Sequence, residues 1–186
     1  QAHRYRTELG LDGDTLPRLA AQAAENLASA GERALARVDI HAAITLLSRA
    51  TSLMGRGNPN RVELLGDLTE ALTEGGLVDR ARQVIREAAD EAEGAGDDRL
   101  ATQVLMGEWY IKAMEGPADV ERAEQEGLQA VEVFGKHSDE RGLARGWDLV
   151  GRARWWIGRA REAEEARWRI DLPVASPKQR SPASMR

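Results

Sequence analysis

The chain has no cysteine, which excludes disulfides, thiolate nucleophiles and cysteine metal sites together. It lacks any apolar run near the roughly 18 residues that span a bilayer. Its start, Gln1-Ala2-His3-Arg4-Tyr5-Arg6, has no apolar core of a signal peptide. These absences predict a cytoplasmic chain with no membrane segment. Aromatic residues are scarce, at 4%, which disfavours a sheet-based core. A basic excess is missing too. The 26 Lys and Arg stand against 31 Asp and Glu, and the net charge of -5 argues against a nucleic-acid surface over the whole molecule. His3, His41 and His137 lie far apart without HExxH-like spacing, so no metal site is expected. What the chain has is Leu and Ala among 31% charged residues, a mixture that suits helices. At 186 residues it is long enough for one domain or one repeat array.

Three short stretches share one small-residue grammar: Gly76-Leu77-Val78-Asp79-Arg80-Ala81, Gly158-Arg159-Ala160-Arg161-Glu162-Ala163 and, more loosely, Val38-Asp39-Ile40-His41-Ala42-Ala43. Each lies between two amphipathic segments, as a tight turn between antiparallel helices does. Four units align on Ala43, Ala81, Ala123 and Ala163, spaced by about 38, 42 and 40 residues. Seven residues later stand Ala50, Ala88 and Ala130, small where one helix nears the next; in the fourth unit bulky Ile170 breaks the pattern. Sixteen residues before each anchor is a wedge position, occupied by Leu27, Leu65, Gly107 and Trp147. A period of this size predicts an all-α, right-handed α-solenoid of about four helical hairpins.

Punctuation along the chain supports that reading. Residues 1–13 read as a leader ending a preceding module, and 14–170 as the repeat domain. Asp14 or Thr15 is expected to cap the first helix, with Pro17 in its first turn. Asn58 and Pro59 open the second hairpin, Asp97 and Asp98 the third, and Ser138 is expected to cap the fourth, with Asp139 and Glu140 in its first turn. Residues 171–186, with Pro173, Pro177 and Pro182, are predicted to be a disordered tail. Beginning with Gln1 rather than Met, the sequence reads as a fragment or a processed chain.

Trp147-x2-Val150-Gly151-x2-Arg154 resembles the first-helix signature of the tetratricopeptide repeat. More narrowly, Ala2-His3-Arg4-Tyr5-Arg6-Thr7-Glu8-Leu9-Gly10, followed by Ala30-Gly31-Glu32-Arg33-Ala34-Leu35-Ala36-Arg37, resembles the junction between ATPase module and repeats in large bacterial signalling proteins. Those combine a class III adenylate/guanylate cyclase or a LuxR-type DNA-binding domain with a P-loop ATPase and a repeat array. The likeness covers about residues 1–169. It implies a protein-interaction or regulatory module with no catalysis in this segment. Gly107, where a large wedge is usual, and Arg154, where an aromatic is usual, depart from the repeat pattern.

Motifs for chemistry fail one by one. Phe134-Gly135-Lys136-His137-Ser138 lacks the upstream glycine of a P-loop and reads as a helix stop. His137, Ser138 and Asp139 are adjacent, whereas triad members converge in space from separate positions. Glu87-Asp90-Glu91-Glu93 and Glu121-Glu124-Glu126 sit among arginines at helical spacing and are predicted to be solvated faces. The sequence thus predicts no catalytic residue and no cofactor. The resemblance implies a concave groove lined by Glu25, Glu32, Glu63, Glu70, Glu108, Lys112, Arg145, Asp148 and Arg152, facing a protein or peptide. Two alternatives stand beside it. One is an architectural or oligomerisation module. The other is nucleic-acid contact through Arg152, Arg154, Arg159, Arg161, Arg167 and Arg169 interleaved with Trp155, Trp156 and Trp168; otherwise those tryptophans are core wedges or a face for a following repeat.

Overall fold

The structure, a computed structural model, describes residues 15–116 and 119–171. Among the described residues there are eight α-helices and no strand, so the chain is all-α. They are α1 (Thr15–Ala36), α2 (Ile40–Leu53), α3 (Pro59–Glu74), α4 (Val78–Ala95), α5 (Asp98–Glu115), α6 (Val120–Lys136), α7 (Glu140–Trp156) and α8 (Ala160–Asp171). Two compact units form, one ending at Ile111 and one beginning at Lys112. The predicted caps at Asp14 and the tail from residue 172 lie outside the described residues.

One turn is used four times. Val38, Gly76, Ser138 and Gly158 each adopt a left-handed conformation, with φ of 61, 71, 53 and 77°. In each case the next residue's N–H donates back to a carbonyl five residues earlier. The pairs are Asp39 to Ala34 O, Leu77 to Leu72 O, Asp139 to Phe134 O and Arg159 to Arg154 O, all at 2.8–2.9 Å. This pattern satisfies carbonyls that a helix end leaves orphaned, and it demands a residue that tolerates positive φ. Gly76 and Gly158 meet the demand without strain. Val38, β-branched and 74% exposed, meets it against its preference.

Caps follow the expected chemistry with one correction. Asn58 Oδ1 accepts from Asn60 N at 3.0 Å, and Asp97 Oδ1 accepts from Arg99 N at 2.9 Å. Asp39, in the first turn of the chain, accepts from Ala42 N at 3.2 Å. Ser138 does not cap α7. It is committed to the left-handed turn, and Asp139 caps instead, accepting from Gly142 N at 2.8 Å.

In the first unit, α3 packs against both α2 and α4. It is buried on several sides, including Leu65, Leu68, Leu72 and the polar Asp67, Thr69 and Thr73. The two threonines are satisfied locally: Thr69 donates to Leu65 O at 2.8 Å and Thr73 to Thr69 O at 2.7 Å. Ala43, Ala81, Ala50 and Ala88 are all fully buried, as small residues at helix crossings must be. Gly107, the departure from the wedge pattern, has a reason. A Cβ there would meet Ile85 Cδ1 at 2.5 Å, so α4 supplies the bulk that α5 omits.

In the second unit, α7 packs on α6 and α8. Here bulk is traded in both directions. Gly127 on α6 receives Val150, and a Cβ added to Gly127 would lie 2.8 Å from Val150 Cγ2. Gly146 lies against Val131 and against the Gly127 carbonyl oxygen, and Gly142 lies under the ring of the fully buried Phe134. Glycines thus let the two helix backbones approach closely.

Candidate functional site

Two charged clasps each join three successive segments. In the first unit Arg61, at the start of α3, is 8% exposed. Its Nε donates to Thr51 O of α2 at 3.1 Å, its Nη2 to Glu87 Oε1 of α4 at 2.7 Å, and its Nη1 to Glu91 Oε1. Burial pushes this guanidinium's pKa down, but the hydrogen bonds and charges of Glu87 and Glu91 overcome it and hold the pKa above its ordinary value. Arg61 is therefore charged at any working pH. In the second unit Glu124 of α6 accepts from Arg154 Nε of α7 at 2.7 Å and from Arg159 Nη1 at 3.4 Å. Arg154 Nη1 also reaches Glu162 O in the first turn of α8, at 3.5 Å.

These clasps correct the expectation that the carboxylate clusters are merely solvated. Glu91 has a side chain 8% exposed and Glu124 one of 15%. Their partners are 30 residues away in sequence and arrive from other helices. Arg154, the departure from the repeat signature, is one of those partners.

The residues expected to line a groove fall into two sets. Glu25, Glu32, Glu63, Glu70 and Glu108 belong to the first unit, and Lys112, Arg145, Asp148 and Arg152 to the second. Glu25 and Lys112 are exposed, and the others are half-buried. Glu63 is held by Arg99 of α5 at 2.6 Å, and Glu74, farther along the same helix, accepts from Tyr110. Both pairs are 36 residues apart, so α3 and α5 run side by side in parallel with one register. That register sets Gln103 opposite Asp67, and both are buried. Asp148 and Arg152 pair along α7 at 2.7 Å. The first set is uniformly acidic and the second is mostly basic.

The tryptophans split as well. Trp147 is half-buried with Arg169 over its ring, 4.6 Å from the centroid. Trp155, Trp156 and Trp168 are 68%, 52% and 65% exposed. Among the described residues no group of three His, Cys, Asp or Glu side chains is arranged to hold a metal, and no helix is long and apolar enough to cross a membrane. No protein-family model, no curated protein and no solved structure matches the chain.

Proposed function

We propose that this chain is a right-handed α-solenoid of tetratricopeptide-like hairpins, acting as a protein-interaction and regulatory module. In this reading it belongs to a cytoplasmic multidomain bacterial signalling ATPase with a cyclase or transcriptional output, and no catalysis occurs in the segment itself. The observation that carries the reading is the fourfold reuse of one left-handed turn between helices. The buried alanine columns Ala43, Ala81, Ala123, Ala163 and Ala50, Ala88, Ala130 support it further. Such stacking offers an extended surface, and strain from a bound segment passes along neighbours. The acidic set on the first unit favours a basic stretch of partner, and the set on the second an acidic one.

Deleting residues 15–171 from the parent protein tests this. Loss of the inducer's effect on nucleotide turnover or output is expected. Unchanged turnover and output, with and without inducer, discard the regulatory role. One second reading has an observation of its own. Exposed Trp155, Trp156 and Trp168 near Arg159, Arg161 and Arg167 in sequence would suit single-stranded nucleic acid. It requires a labelled oligonucleotide to bind at low salt with an affinity that falls steeply as salt rises.

A further inference from the structure

We infer that α8 is a detachable strap, held on the second unit mainly by the Glu124 clasp and released by ionic strength. The earlier return helices are anchored by broad seams. α2 buries Ala43, Leu47, Ala50 and Thr51; α4 buries Ala81, Ile85, Ala88 and Ala92; α6 buries Ala123, Gly127, Ala130 and Phe134. Among the described side chains of α8 only Ala163 and Ala166 are buried, with Ile170 half-covered. Four residues past each anchor, where the earlier helices place buried Leu47, Ile85 and Gly127, α8 carries the exposed Arg167. Two methyl groups remove little apolar surface from water, so the hydrophobic grip on α8 is the weakest of the four.

Charge supplies the rest. Glu124 fixes Arg154 at 2.7 Å, and Arg154 in turn donates to the Glu162 carbonyl of α8. The second oxygen of Glu124 holds Arg159 in the turn that leads into α8, and Arg159 also lies 3.9 Å from the Glu162 carboxylate. At the far end, Arg169 rests on Trp147. Glu124 is thus a positioning residue that acts on α8 through two arginines. A helix of 12 residues is marginal once lifted, so undocking also melts it. Lifting uncovers Gly151, which lies against Ala163 O and Ala166 Cβ, and the Trp147 ring. The device is therefore a helix that opens locally while α6 and α7 stay paired.

Hydrogen exchange on the full chain, read by mass spectrometry over residues 120–171, tests this. Glu124→Gln is expected to speed exchange in α8 by about tenfold, in keeping with the loss of hydrogen bonds to a charged group, and to spare α6 and α7. Raising salt from about 0.1 M to about 1 M shortens the Debye length from about 10 to about 3 Å, and is expected to speed α8 exchange in the wild type far more than in the variant. Exchange of α8 that tracks α6 and α7 in the wild type at both salts, or is unmoved by Glu124→Gln, overturns the inference. Should the variant loosen α6 and α7 as well, the wild-type salt series decides. A response confined to α8 upholds the strap, and a response of the whole unit, or none, removes it.

Discussion

The two units solve the same packing problem with different materials. The first buries leucines around α3 and seals one deeply buried arginine between two glutamates. Among its described residues the second buries Phe134, Leu149 and Val150 as its large apolar side chains; it brings backbones together through Gly127, Gly142 and Gly146 and exposes three tryptophans. The comparison teaches where each is vulnerable. A core of leucines is sensitive to an unpaired charge, and a core of glycines is sensitive to an added methyl group.

The largest expected effect breaks the first unit. Arg61→Met leaves Glu91 buried without its partner and should destabilise by about 3–5 kcal/mol, measured by urea unfolding. The matching change in the second unit, Arg154→Met, should cost clearly less, because Glu124 keeps Arg159. Gly142→Ala comes next. Its new Cβ has no room beside the Phe134 ring, and a loss of stability of about 1–3 kcal/mol is expected, seen as a lowered thermal midpoint. Gly107→Ala in the first unit meets the far end of the flexible Ile85 side chain and should lose less. Equal losses at the two glycines would end the contrast drawn between the units.

A gain is expected at Val38. Val38→Gly removes left-handed strain of about 1–2 kcal/mol at φ 61° and gives up almost no packing, but frees the unfolded chain by about 0.4–1 kcal/mol, so stability should rise by about 0.5 kcal/mol. The smallest effect is at Glu132, whose carboxyl is held below its ordinary range by its hydrogen bond and charge contact with Lys136. A lowered folded-state value means that its slight stabilisation exists above the unfolded carboxylate range and fades as pH falls through the folded one. Because the pair is exposed, Glu132→Gln should leave the thermal midpoint unchanged at moderate salt.

Much of the helical skeleton was legible because it rests on local rules. Asn58 with Pro59, and Asp97, announce helix starts, and the alanine columns announce crossings. Ser138 was misread because two good capping residues stand side by side; the need for a left-handed residue at the turn, a demand set by α6, takes the serine and leaves the cap to Asp139. The clasps were illegible for a different reason. Glu91 and Glu124 have no opposite charge three or four residues away on their own helices, and the arginines that bury them arrive from 30 residues away, where no local rule reaches. The expected groove residues were legible only as types. That Glu63 is already engaged by Arg99 depends on the register between α3 and α5, which no local rule encodes.

The exchange of bulk between helices has a consequence for the order of the hairpins. Where α4 meets α5 the protrusion is Ile85 and the hollow is Gly107; where α6 meets α7 there is one hollow on α6, Gly127, filled by Val150, and two on α7, Gly142 and Gly146, filled by Phe134 and Val131. The junctions are cut to different keys. A hairpin moved from one place to the other would bring bulk against bulk or hollow against hollow, so these look-alike segments are not interchangeable modules. Each carries, in the size of a single side chain, the address at which it belongs.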